Sequence, residues 1–184
     1  RRYLPDLVNP LATHYKGFLV KDGEDFGAVV DSSGNCKSGG TFVMAEVYWQ
    51  DQAEAIRAAT GIDMSTERLM LTGERIYNLM RCYNALHGIT RADDILPWRF
   101  TQVPSPSGNA RGSICHLDTM LADYYRLRGW TRRTGLPTIK TLSRLGLTEA
   151  YARVQNAIAS GASKAIYQQL GWAAPYTGPL LDDL

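Results

Sequence analysis

Apolar positions fall at helical intervals over most of the chain. Between Thr41 and Thr60, Phe42, Ala45, Tyr48, Trp49, Ala53 and Ile56 recur at steps of three, four and one, marking one face of a helix that Gly61 should stop. Asp63 or Ser65 then offers a cap for a second helix, in which Leu69, Ile76, Leu79, Met80 and Tyr83 keep the period as far as His87-Gly88. Gly73 interrupts this helix without changing its phase. Further on, Leu117, Leu121, Tyr124, Tyr125 and Leu127 predict a helix closed by Gly129-Trp130. A polar turn at 131–135 leads through Leu136-Pro137-Thr138 into a short helix over 138–145, and a last pattern runs from Glu149 to Leu170 with a soft spot at Gly161. No strand-like alternation of convincing length and no internal repeat occurs. The predicted fold class is mainly α: an irregular multi-helix domain with long ordered loops.

Three segments follow from these patterns. Residues 1–22, with Pro5, Pro10 and Gly17, read as an irregular opening segment; 23–147 form a helical body; 148–184 form a C-terminal helix and tail. Within the body, 89–112 are rich in Pro, Gly, Ser and Asp and read as a long ordered loop that must pack on something. A short helix, Glu24 to Val30, precedes the polar turn Asp31-Ser32-Ser33-Gly34-Asn35-Cys36-Lys37. The turn offers an acceptor carboxylate, backbone that Gly34 lets a flat ligand approach, and a thiol at its exit. A planar heterocycle and a metal centre could both be met there, although a helix stop with an inert cysteine has the same letters.

Composition narrows the classes. Hydrophobic residues make up 45% and charged residues 21% of 184, ordinary for one globular domain with a real core. Twenty basic against eighteen acidic residues leave +2, which gives no reason to expect a polyanionic partner. No run reaches the roughly 18–20 apolar residues of a membrane span, and no secretory leader opens the chain, so the expected compartment is the cytosol. Arg1 rather than Met at the start suggests a piece of something longer. Cys36, Cys82 and Cys115 are odd in number and lack C-x-x-C spacing, which argues against a disulfide framework or a self-contained zinc site. An iron-sulfur cluster takes four thiolates as a rule, so a cluster on Cys36 would need companions from outside the chain.

Other residues have plainer readings. Cys82 and Cys115 read as buried small hydrophobes or bystanders, and His14 and His87 have no partners at metal spacing, His87 suiting a helix C-terminus. Arg81, Arg91, Asp93, Asp94 and Arg99 read as an ion network fixing the long loop ahead of a phosphate site. Tyr124, Tyr125, Trp130 and Trp98 read as core. Arg126, Arg128, Arg132, Arg133, Lys140 and Arg144 flank the helix opened by Pro137-Thr138 and raise a helix-turn-helix alternative, weakened by the near-neutral charge and the lack of base-reading side chains.

Eight blocks occur in one order: the turn at 31–37, Ala59-Thr-Gly-Ile-Asp63, Gly73-Glu-Arg-Ile76, Arg81-Cys-Tyr-Asn84, Asp93-Asp-Ile-Leu-Pro-Trp-Arg99, Tyr124-Tyr-Arg-Leu-Arg-Gly-Trp130, Gly135-Leu-Pro-Thr138 and Leu145-Gly-Leu147. Over roughly 23–147 the chain resembles the C-terminal part of the aldehyde:ferredoxin oxidoreductase family, tungsten enzymes with a bis-pterin cofactor and a [4Fe-4S] cluster. That family's second pterin segment has the form D-x-x-G-L-C, with Asn35 standing here in place of Leu. The resemblance implies that Asp31, Gly34, Asn35, Cys36 and Lys37 meet a pterin, with Asp31 bonding its amino-pyrimidine edge, and that Cys36 is the fourth cluster thiolate. It further implies aldehyde oxidation to a carboxylic acid around tungsten or molybdenum, with ferredoxin or another electron carrier as acceptor. The catalytic residues, the other cluster cysteines and the first pterin segment would lie in a missing N-terminal part, so this segment alone is not expected to be active. A subunit reducing an aromatic acyl thioester within the same family, and a non-catalytic helical binding or structural domain, are the alternatives. Neither nucleic acid nor membrane is an expected partner.

Overall fold

The computed structural model describes residues 8–38 and 47–162. Among the described residues seven α-helices dominate and no sheet forms; only isolated bridges pair Ser105 with Arg111 and Trp130 with Pro137. In chain order the helices are α1 Lys16–Ser32, α2 Trp49–Thr60, α3 Thr66–Leu86, α4 Trp98–Gln102, α5 Leu117–Arg128, α6 Ile139–Arg144 and α7 Thr148–Ser160. The fold is mainly α, as the apolar period predicts.

The long helix α3 is the axis of the packing: α1, α2 and α7 lie against it, α1 also meets α5, and α6 meets α7. Its start follows the expected chemistry, with the Ser65 hydroxyl accepting the Arg68 N–H at 3.2 Å. Thr138 caps α6 in the same way, accepting from Thr141 N–H at 3.2 Å. The core has three parts. Phe26, Val29 and Val30 of α1 meet Trp49 and Ala53 of α2 and Leu69 of α3. Cys82 and Ala85 of α3 meet Leu136, Leu142 and Val154. Tyr124, Tyr125 and Trp130 form the third, with Tyr77 of α3 against them.

Helix α1 departs most from expectation, because it starts at Lys16 and not at Glu24. Gly17 and Gly23 weaken its first turns locally, but packing decides the outcome. At Gly17 a Cβ would stand 2.9 Å from the Tyr124 backbone nitrogen of α5, and at Gly73 of α3 a Cβ would stand 2.4 Å from the Asp25 carbonyl oxygen. These two glycines let α1 lie directly on its neighbours. Gly73 is therefore the contact point between α1 and α3 rather than a tolerated interruption.

The loop over 89–112 is ordered. It holds a 3-10 turn at Arg91–Asp93, helix α4 and a second 3-10 turn at Gly108–Ala110. Asp93 accepts the Thr90 N–H at 2.7 Å, and Asp94 ties the loop to α3 and α5 as described below. Two expectations need correction. Gly161 adopts φ 69° and ends α7, where a soft spot in a helix reaching Leu170 was predicted; residues 163–170 lie outside the described residues. Trp98, grouped with the core aromatics, is 70% exposed at the start of α4, because α4 is a surface helix with no buried residue. Of the predicted helix over 41–60, residues 41–46 lie outside the described residues, and α2 begins at Trp49 after an extended Tyr48.

Candidate functional site

The turn after α1 gathers all five residues singled out in the sequence. Asp31 is in the last turn of the helix, and the Ser33 N–H closes it on the Val29 carbonyl at 2.9 Å. Gly34 follows at φ 77°, a left-handed conformation that L side chains rarely adopt. No atom lies within 4 Å of the position its Cβ would take, so the backbone there is open to a flat group. Cys36 and Asp31 are exposed. The carboxylate sits at the negative end of the helix dipole, where an anion is disfavoured. Lys37 offsets this: its chain folds back so that Cε lies 3.8 Å from the space beside Gly27, and Nζ reaches Asp31 Oδ2 at 2.7 Å.

Asn35, the departure from D-x-x-G-L-C, has a physical account. Its Nδ2 donates to Gln52 Oε1 at 2.7 Å, and Gln52 is a buried residue of α2. The amide thus ties the turn to α2 by a polar bond. Below it lies a cavity of about 390 Å³ walled by Val29, Ile56, Met64, Leu69 and Ile76.

Two ion clusters anchor the elements that carry the turn, and the sequence showed only fragments of them. Arg81 makes a bidentate pair with Asp94, 2.9 and 2.6 Å, and its Nε donates to the Gly135 carbonyl at 2.9 Å; the Tyr125 hydroxyl donates to the same carboxylate. Arg91 pairs with Asp118 and Asp93 caps Thr90, so the predicted network is structural, with Arg99 exposed outside it. Arg128 is wholly buried: Nη1 bonds Asp25 Oδ1 at 2.5 Å, Nη2 bonds Glu24 Oε2 at 2.6 Å, and Nε donates to the Tyr124 hydroxyl at 3.0 Å. Its guanidinium carbon stands 4.1 Å from the Tyr77 ring centre. Burial alone would lower the Arg128 pKa, but the Tyr124 oxygen and the two carboxylates outweigh it and raise it. Burial likewise pushes the Tyr124 and Tyr77 hydroxyls up, so both are protonated donors at neutral pH. Sequence reasoning missed this cluster, having assigned Arg128 to a basic patch. The signal was the adjacent Glu24-Asp25 pair on a helix otherwise turned inward.

The remaining candidates take their plainer roles. Cys82 is buried and its thiol is pushed up to about 11 by that burial. Cys115 Sγ lies 3.9 Å from Met120 Sδ. His87 caps α3 with its backbone N–H and sets its ring against Tyr83. Among the described residues no three His, Cys, Asp or Glu side chains stand together to hold a metal ion. An open Gly34 backbone, an exposed carboxylate and an exposed thiol are groups of a kind that fits one edge of a pterin and one corner of a cluster.

Comparison with known proteins identifies the family. The family profile described as aldehyde ferredoxin oxidoreductase, domains 2 and 3, matches residues 3–147. The tungsten-containing aldehyde ferredoxin oxidoreductase of Pyrococcus furiosus is 39% identical over 129 residues, covering 70% of this chain and 20% of that protein. Its counterpart in Thermococcus kodakarensis is 37% identical over 127 residues, covering 68% and 20%. The chain thus spans about a fifth of the length of these relatives. Among solved structures, the active-site complex BamBC of benzoyl coenzyme A reductase with 1,5-dienoyl-CoA shares the fold, with a TM-score of 0.63 at 24% identity over 90% of this chain and 22% of that one. On the profile match and these identities, the chain belongs to the aldehyde ferredoxin oxidoreductase family, in the part formed by domains 2 and 3.

Proposed function

We propose that the chain is the C-terminal part of a cytosolic pterin oxidoreductase that converts an aldehyde and water to a carboxylic acid, releasing two protons and two electrons. A [4Fe-4S] cluster, when bound, would supply one-electron transfer to ferredoxin or a similar carrier. The observation that carries this reading is the turn itself: within six residues, one carboxylate, one open glycine backbone and one exposed thiol face outward in a member of a family whose relatives contain tungsten.

In this reading the tungsten or molybdenum bis-pterin supplies the redox chemistry when bound, and the chain's own residues do the holding. Asp31 accepts paired N–H donors from the amino-pyrimidine edge, a charge-assisted bond worth roughly twice a neutral one. Lys37 orients that carboxylate through Oδ2. Gly34 lets the backbone come within van der Waals distance of the ring. Asn35 holds the turn against α2, and the exposed Cys36 would present a thiolate to the cluster.

A second reading, reduction of an aromatic acyl thioester, draws on the fold shared with the benzoyl coenzyme A reductase complex. The higher identity to the tungsten aldehyde enzymes favours the first. The test is anaerobic metal analysis of the complete polypeptide in wild type and Cys36→Ser. About four irons per chain with tungsten or molybdenum, and loss of iron in the variant, are expected. A wild type free of both metals would overturn the reading.

A further inference from the structure

We infer that Arg128 is a positioning residue for the cofactor turn: by gripping Asp25 and Glu24 it fixes where along its own axis α1 delivers Asp31 and Cys36. The inference rests on the reading of the turn as a pterin and cluster site.

Helix α1 is continuous from Lys16 to Ser32, so whatever holds its middle also sets its end. Asp25 lies about 9 Å along the axis from Asp31 at the normal helical rise. Two close backbone approaches, a bond from the Trp49 indole N–H to Asp22 at 3.0 Å and the Arg128 cluster hold that middle and the helix start. At Gly17 and Gly73 the backbones of α5 and α3 approach closely, which sets how near the helices stand and leaves no room for a side chain at either point. The Arg128 contacts are directional. One planar guanidinium bonds two successive carboxylates, and its third nitrogen arm is held by the Tyr124 hydroxyl at 3.0 Å. Rotating or sliding α1 by one residue would break at least one of these bonds.

Arg128 has little freedom of its own. It is wholly buried, with Tyr77 at 4.1 Å and Tyr124 at 5.3 Å from the guanidinium carbon, and Nη2 also reaches the Lys21 carbonyl at 3.3 Å. A buried ion cluster of this kind adds little net stability over well-packed apolar side chains, because removing the charges from water costs about as much as their attraction returns. What it supplies that apolar packing does not is a fixed register. Lysine could not replace it, since a single ammonium cannot span both carboxylates in plane.

The experiment uses the complete, metal-loaded polypeptide with Arg128→Lys, Arg128→Met and Val154→Ala. Val154 lies in the separate core between α3 and α7 and serves as a control of comparable loss in denaturant midpoint. Iron and pterin content, the cluster's paramagnetic signal and its midpoint potential are read in each. Both Arg128 variants are expected to release pterin about tenfold faster, the effect of weakening one charge-assisted bond, and to shift the signal and the potential. The control should change neither. Should the Arg128 variants fail to accumulate, Asp25→Asn is read against the same control and the same expectation. If wild type carries the cluster and Cys36→Ser loses it, yet the Arg128 variants match the control, the inference falls alone. If wild type has no cluster, the reading of the turn falls and takes the inference with it.

Discussion

Cys36 and Cys82 are the same residue type in opposite settings, and the difference is measurable. Cys82 sits in the core with its thiol pushed up to about 11, so at pH 8 almost none of it is the nucleophilic thiolate and no reagent can reach it. Cys36 stands exposed on the turn. Brief alkylation of metal-free folded protein at pH 8, read by mass spectrometry, should label Cys36 first and leave Cys82 unmodified until denaturant is added. Labelling of Cys82 at the rate of Cys36 would contradict the packing. At this scale the sequence was readable where chemistry is local. Asp31, Gly34 and Cys36 stand within one turn, and their outward placement follows from it. The Asp25 to Arg128 pair spans 103 positions and no local pattern could announce it.

At the scale of elements, two glycines of the α1–α3 pair give opposite expectations. Gly23 is exposed on α1 and nothing lies within 4 Å of its missing Cβ, so Gly23→Ala should stabilise the fold by about 0.5–1 kcal/mol through helix propensity alone. Gly73→Ala gains a similar propensity but drives a methyl to 2.4 Å from the Asp25 carbonyl, a backbone atom that cannot swing aside. Overpacking of this kind costs about 1–3 kcal/mol, so a net loss is expected, with the denaturant midpoint falling. Equal gains at both positions would show that the helices are not in contact there. Periodicity located α3, α5 and the body of α2, whose start at Trp49 falls later than the expected Thr41, and the Thr138 cap located α6. It missed the first half of α1, where Lys16-Gly17-Phe18-Leu19-Val20-Lys21-Asp22-Gly23 mixes glycines with charges and owes its helix to tertiary contact. It overran α7 because Gly161 breaks the helix by taking positive φ, an outcome that apolar spacing does not register.

Across the whole molecule the charges are spent internally. Arg128 serves Asp25 and Glu24, Arg144 bonds Glu74 at 2.7 and 3.1 Å, and Arg126 pairs with Asp123, so three of the six basic residues flanking α6 have carboxylate partners. Glu74 is the junction, since Lys21 of α1 lies 3.8 Å away and Arg144 of α6 holds it from the other side. Burial would raise its pKa, but Arg144, Lys21 and Arg128 prevail and hold it below the usual carboxylate range. A carboxylate depressed in the folded state gives stability that is complete above its unfolded pKa and is lost as pH falls through the folded one. Stability should therefore decline below about pH 4.5, and Glu74→Gln should flatten that decline while lowering stability at neutral pH. An unchanged acid slope would show that Glu74 is not ionised in the fold. Among the described residues no helix is long and apolar enough to cross a membrane.

The exposure of Trp98 has an optical consequence. Trp49 and Trp130 are sealed in separate cores, whereas the Trp98 indole is 70% exposed on α4. Of these three fluorophores, a water-borne quencher such as acrylamide meets one, and with the fourth tryptophan removed as Trp172→Phe its red-shifted emission reports on α4. Any domain that settles over that helix in the complete enzyme would shift the emission to the blue and shield it from the quencher, so assembly could be timed by light without attaching a dye.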